Sequence, residues 1–273
     1  MRPSDYPPQE PFSEVAQRYH DTVTKLGART PPGEEIQLGE DPYRSLVIYP
    51  SAAPDGRILA FMHGGGWTNG YKEWLAFMAP ALNAAGVTFA SLGYRLAPQH
   101  LFPAGYEDAA AGLVRLMAEA TRFGGDPERL YVGGHSAGGH YAALLATRDH
   151  WWRMHGLEEN PLAGCLPISG VFKFGEGSGM AMRPRFLGSE DPDADRIASP
   201  ISLIEDKTPF LIAHGDRDFP HLMAQAEEME GLLRAHLVPV ERLIVTGADH
   251  FTASTWAGNP QGLWLPRALN FMQ

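Results

Sequence analysis

Gly134-His135-Ser136-Ala137-Gly138 stands between a short apolar run, Leu130 to Val132, and a run of small residues, Tyr141 to Thr147. The first run reads as a strand and the stretch from Ala137 to Thr147 as a packed helix, which leaves the serine at the apex of a sharp turn between them. A serine forced onto such an elbow has a strained backbone, and the residues two positions away have no room for a Cβ, so both flanking glycines are chemically required. Ser136 Oγ is thereby held out where an acyl carbon can reach it. Glycine and serine are common, however, so the pentapeptide needs support from the rest of the chain.

Upstream, the apolar run Ile58 to Met62 empties into His63-Gly64-Gly65-Gly66-Trp67. Side-chain-free residues let main-chain N–H groups approach a developing oxyanion, and one such donor is worth about 2.7 to 4 kcal/mol of barrier. The oxyanion donors are assigned to Gly65 and Gly66, joined by Ala137 at the first turn after Ser136, where the helix dipole adds to them. A phosphate loop is the competing reading, but it needs Gly-Lys-Ser or Gly-Lys-Thr, and Trp67-Thr68-Asn69 follows instead. Trp67, directly after the glycines, is the candidate substrate-binding side chain; packing is the alternative for it.

A serine nucleophile needs a base, and the base needs an acid to orient it; after a strand–serine–helix elbow they follow in the order acid, then histidine. The strand Pro209 to Ala213 ends in His214-Gly215-Asp216-Arg217-Asp218, and a later strand, Arg242 to Val245, ends in Thr246-Gly247-Ala248-Asp249-His250-Phe251. Of the eleven histidines, His250 alone follows a late strand within a glycine-containing loop and is assigned as the base. Asp218 is preferred to Asp216 as the acid, because the loop has turned toward the histidine by that offset. Asp249 neighbours His250 in sequence, and adjacent side chains on a loop seldom face one another. His135 and His140 are read as braces of the elbow, and His63 as bonded within its own glycine loop.

With these residues named, the chain resembles an α/β-hydrolase of the hormone-sensitive-lipase type and its relatives the arylformamidases (kynurenine formamidases). The first likeness rests on His63 to Trp67 and on Tyr94-Arg-Leu-Ala-Pro98 running through Phe102-Pro103-Ala104 to Glu107-Asp108. The second rests on Gly134 to Gly138 followed by Gly139-His140, on Leu166 to Phe172, and on Gly247 to Phe251. The chain departs from the lipase-type pattern in having His135 before the nucleophile, where an aspartate is usual, and Asp218-Phe219-Pro220 around the acid. The resemblance implies a mostly parallel sheet with helices on both faces and a small cap.

The composition fits a single domain over residues 1–273: 44% of the residues are apolar, enough to bury a sizeable core without metals or disulfides. The one cysteine, Cys165, lies in an apolar stretch and has no partner for a bridge. Thirty-two acidic against 22 basic residues give a net charge of −10, which disfavours nucleic acid as a partner. No apolar leader or membrane-length run is found, so a cytoplasmic protein is expected. His-Glu-x-x-His is absent, and neither a metal nor a cofactor is expected; a homodimer stays open.

Strands are predicted at Ser45–Tyr49, Ile58–Met62, Val87–Leu92, Leu130–Val132, Cys165–Ile168, Phe210–Ala213 and Leu243–Val245. Helices are predicted at Tyr71–Ala85, Tyr106–Thr121, Ala137–Thr147 and His221–Ala235, with another at Phe12–Leu26 inside an N-terminal cap segment, 1–33. Segment 151–195, rich in aromatics, methionines and glycines, is read as a lid over the pocket or as ordinary packing. Arg95 is expected to pair with Glu107 or Asp108. Together these features point to a serine hydrolase of short-acyl carboxylic esters working through Ser136, His250 and Asp218. An arylformamidase acting on N-formylkynurenine or a related aryl amide, and a non-catalytic ligand-binding homologue, are the alternatives.

Overall fold

The computed structural model describes residues 1–188 and 191–273. Its eight strands are β1 (Glu34–Gln37), β2 (Ser45–Tyr49), β3 (Gly56–Met62), β4 (Thr88–Leu92), β5 (Gly125–His135), β6 (Leu162–Ile168), β7 (Phe210–Arg217) and β8 (Val240–Asp249). They form one sheet in the order β1-β2-β4-β3-β5-β6-β7-β8. β1 and β2 run antiparallel to their neighbours and all later pairings are parallel.

Side chains on a strand alternate between its faces, and both faces are buried here. Ile58, Ala60 and Met62 of β3 enter one core, while Leu59 and Phe61 enter the other. Among the described residues, ten α-helices surround the sheet: α1 (Glu14–Gly27), α2 (Ala79–Ala84), α3 (Ala104–Glu119), α4 (Ala137–Thr147), α5 (His150–Met154), α6 (Arg183–Leu187), α7 (Pro192–Ala198), α8 (Pro220–Ala235), α9 (His250–Thr255) and α10 (Trp264–Phe271). α3, α4 and α8 supply the first core with Leu113, Leu144 and Met229; α1, α2 and α10 supply the second with Val23, Leu82 and Leu265.

The helix predicted over Tyr71–Ala85 divides into a 3₁₀ stretch, Lys72–Met78, and α2. Pro80 causes the break: it has no N–H to continue an i→i−4 ladder and is at home in a helix's first turn. Arg95 pairs with Asp108, through Nε to Oδ2 at 2.7 Å and Nη2 to Oδ1 at 2.9 Å, and Arg44 Nε donates to the same carboxylate at 2.9 Å. With its side chain 1% exposed, Asp108 fastens the turn after β4 to α3.

Segment 151–195 divides its tasks. Trp151, Trp152, Phe172, Phe174 and Phe186 are buried in the first core, as the packing reading requires, whereas Met180 and Met182 face the cavity described below. Ser189 and Glu190 of that segment lie outside the described residues.

Candidate active site

β5 ends at His135, α4 begins at Ala137, and Ser136 between them has φ +53° and ψ −115°. A serine at positive φ is uncommon and strained; here the neighbours hold it. A Cβ on Gly134 would lie 2.2 Å from the Gly138 carbonyl carbon, and one on Gly138 would lie 2.2 Å from Met62 O. Both glycines of the pentapeptide are therefore dictated by close backbone approach, and the Ser136 N–H is fixed on Ile168 O at 2.9 Å.

His250 Nε2 lies 3.0 Å from Ser136 Oγ, and His250 Nδ1 lies 2.9 Å from Asp218 Oδ1. His250 is the first residue of α9, so it stands at a helix start where the sequence suggested an open loop. Asp249 caps that helix, accepting from Phe251 N–H at 3.1 Å and Thr252 N–H at 2.8 Å. Asp218 follows β7 directly. Its Oδ1 also accepts from Phe219 N–H at 2.7 Å, and its Oδ2 accepts from the Ser169 hydroxyl at 2.5 Å. Burial opposes ionisation of Asp218, yet the hydrogen bond and charge of His250, the Ser169 hydroxyl and the Phe219 N–H outweigh it and hold the carboxyl at about 2. Asp216 lies apart, exposed, with Oδ1 accepting from Gly247 N–H at 2.8 Å.

Ser169 was not singled out from the sequence. It sits immediately past β6, between the strands that carry Ser136 and Asp218 in the sheet order; a hydroxyl residue at that sheet edge was the available signal.

Gly65 and Gly66 adopt φ +118° and +60°, conformations that glycine takes without strain. They share one cavity of about 380 Å³ with Ser136, His250 and Trp67. Ala137, the first helical residue after Ser136, is fully buried. Trp67 is only 1% exposed. Its ring stacks on Phe186 at 4.3 Å and its Nε1–H donates to His140 Nδ1 at 3.2 Å, so it is a fixed wall more than a free contact.

The three neighbouring histidines are structural in their bonding. His140 Nε2–H donates to Ala198 O at 2.7 Å, His135 Nε2–H donates to the His250 carbonyl at 2.9 Å, and His63 Nδ1–H donates to Gly64 O at 2.7 Å. Burial keeps all of them neutral, pushing His63 down to about 4 and His135 and His140 to about 3. His135 thus ties the Ser136 elbow to the backbone of His250.

Ser13, Ala16 and Tyr19 line the cavity from α1 and its cap, and Met180 and Met182 line it from segment 151–195. Among the described residues, no group of three or more His, Cys, Asp or Glu is placed to hold a metal ion, and no helix is long and apolar enough to cross a membrane.

An elbow serine, an imidazole and a buried carboxylate at the carboxyl edge of a mostly parallel sheet define a class. The α/β-hydrolase fold pattern matches residues 59–254, and the chain belongs to that family, within its hormone-sensitive-lipase-like branch. Esterase LipC of Mycobacterium tuberculosis is 29% identical over 236 residues, covering 79% of this chain and 58% of that protein. A probable isoprenylcysteine alpha-carbonyl methylesterase, ICMEL1, of Oryza sativa subsp. japonica is 38% identical over 110 residues, covering 40% of this chain and 26% of that protein. The chain thus spans 58% and 26% of the lengths of these two relatives. Among solved structures, the esterase from the archaeon Pyrobaculum calidifontis superposes with a TM-score of 0.75 at 23% identity, covering 93% of this chain and 89% of that one. That likeness establishes the fold.

Proposed function

We propose that the protein is a serine esterase that hydrolyses short-acyl carboxylic esters through an acyl-enzyme. The observation that carries this reading is the continuous relay from Ser136 Oγ to His250 Nε2 at 3.0 Å and from His250 Nδ1 to Asp218 Oδ1 at 2.9 Å, opening on a cavity. Ser136 Oγ attacks the ester carbonyl as His250 Nε2 takes its proton. Asp218 fixes the tautomer with Nδ1–H and stabilises the imidazolium that forms. The oxyanion is received by the N–H groups of Gly65, Gly66 and Ala137. His250 returns the proton to the departing alkoxide, and water then repeats the sequence on the acyl-enzyme.

The names of the esterase relatives support the same chemistry. The test is fluorophosphonate labelling of the purified protein together with hydrolysis of p-nitrophenyl acetate. Ser136→Ala is expected to abolish labelling and to lower turnover by about 10⁵ to 10⁶. A chain that takes no label, or a Ser136→Ala variant that keeps its activity, refutes the assignment. N-formylkynurenine in the same assay separates ester from formamide hydrolysis through the two values of kcat/KM.

A further inference from the structure

Tyr19 of α1, Trp74 of the Lys72–Met78 stretch and Phe251 of α9 come from distant parts of the chain and meet on the cavity that holds Ser136. The Tyr19 ring lies 5.3 Å from Trp74, edge-on, and 5.5 Å from Phe251. The polar tips of the first two rings are already engaged. Tyr19 Oη bonds Ser254 Oγ at 2.8 Å, and Trp74 Nε1–H donates to His20 Nδ1 at 2.8 Å. What remains for a ligand is aromatic surface alone.

Two phenylalanine rings flank the catalytic imidazole. Phe251 lies 5.2 Å from the His250 ring and Phe219 lies 4.7 Å from it. In ester hydrolysis the leaving oxygen must reach His250 Nε2 to receive its proton, which brings the alcohol half of the substrate to the side of the cavity where Phe251 adjoins Tyr19. Aromatic pairs at 4.5–7 Å add attraction beyond the area they bury.

Among the described residues, the cavity is lined by no Asp, Glu, Lys or Arg. His135 and His221 line it too, and burial lowers both below the ordinary imidazole range, so neither supplies a positive charge at neutral pH. α1 begins beside the cavity, but its first turn carries Glu14, which opposes an anion there. A carboxylate on the substrate would lose its hydration and find no countercharge.

We propose that the substrates of this site are esters whose alcohol half carries an aromatic ring, seated against Tyr19, Trp74 and Phe251, and that esters bearing a carboxylate are excluded. This rests on the esterase reading and narrows it. For an arylmethyl ester the Ser136 Oγ–acyl carbon bond forms and the acyl C–O bond to the arylmethyl oxygen breaks. The serine proton passes through His250 to the released arylmethanol, and water takes the acyl group to the carboxylic acid.

Four esters test the proposal. Benzyl acetate and cyclohexylmethyl acetate release alkoxides of similar bulk and differ in aromaticity; benzyl methyl succinate and benzyl hydrogen succinate differ in charge. Benzyl acetate is expected to exceed cyclohexylmethyl acetate by about tenfold in kcat/KM, the size of one or two favourable ring pairs. The succinate monoanion is expected to fall about 100-fold below its methyl ester, because its charge is desolvated without a partner. In Trp74→Leu, and independently in Phe251→Leu, the benzyl-to-cyclohexylmethyl ratio should drop toward one, each ratio being measured on protein that still takes the fluorophosphonate label. Active enzyme with a wild-type ratio below about two, or a monoanion within about threefold of its methyl ester, overturns the substrate class and leaves the esterase reading standing. Protein that neither labels nor cleaves any of the four overturns both.

Discussion

Asp216, near the end of β7, and Asp218, just past it, stand two positions apart and meet different surroundings. Asp216 is exposed and accepts from a glycine N–H, whereas Asp218 is buried with both oxygens engaged, by His250 and Phe219 on one and by Ser169 on the other. Only the second can hold an imidazole in one tautomer without yielding to water. Asp218→Asn is therefore expected to lower kcat by about 10⁴, as loss of the orienting carboxylate does in serine triads, while Asp216→Asn leaves kcat within about threefold, since an exposed polar change is nearly neutral. The reverse ranking in steady-state kinetics would remove Asp218 from the relay. Ser169 belongs to the same unit: its hydroxyl occupies Oδ2 of Asp218 and so stops the carboxylate from rotating. A hydrogen bond to a charged group is worth about 1.5–3 kcal/mol. If roughly half of that reaches the transition state, Ser169→Ala lowers kcat about tenfold with little change in KM. An equal loss carried entirely in KM would mean that Ser169 contacts substrate instead.

Gly138 is buried in the first turn of α4, where a Cβ would lie 2.2 Å from Met62 O and 2.5 Å from His63 O. Those carbonyls end β3 and begin the glycine loop, so the contact joins the helix after Ser136 to the loop of Gly64 to Gly66. Backbone cannot shift here without moving both. Gly138→Ala is expected to destabilise the chain by about 3 kcal/mol or more, as overpacking against rigid atoms does, read as a fall in the denaturant midpoint with the slope unchanged. A midpoint within error of wild type would show that the elbow tolerates a Cβ. This elbow was the most legible part of the molecule, because its chemistry and its packing impose the same residues at the same places. β2 and α4 have the bounds that their sequence pattern suggested. β1 was not legible: Glu34-Glu-Ile-Gln37 offers one buried residue, Ile36, and becomes a strand only through its pairing with β2. α9 and α10 were not legible either, the first being set by the Asp249 cap. At the site, the relay could be read because each member sits at a strand's carboxyl edge. The aromatic wall could not, since Tyr19, Trp74 and Phe251 share no spacing and are brought together only by the packing of α1 over the second core.

Across the whole molecule, one buried framework serves both stability and the site, and it has a sign in pH. His63, His135 and His140 are fully enclosed and neutral, lowered by burial to about 4, about 3 and about 3. In the unfolded chain each takes up a proton near the ordinary histidine value of about 6.5. Because the unfolded state binds more protons than the folded one below that point, their contribution is complete above about pH 6.5 and is lost as the pH falls toward the folded values. At pH 5 each costs about 2 kcal/mol and the three together about 6, at 1.36 kcal/mol per pKa unit. Asp218, held at about 2 against an ordinary value of 3.8, acts in the same direction but in a lower window: its share is present above about pH 4 and is lost as the pH drops through 2. A loss of about 6 kcal/mol is comparable with the 5–15 kcal/mol that holds a typical domain together. Thermal unfolding followed by circular dichroism should therefore show Tm falling by about 12–24 °C between pH 7 and pH 5, at the 2–4 °C per kcal/mol usual for chains of about this size. The fall should track loss of fluorophosphonate labelling, because His140 bonds the wall residue Trp67 and His135 bonds the backbone of His250. A Tm that stays level over that range would mean that these imidazoles accept protons in place, and the enclosed, neutral framework beneath the site would be wrong.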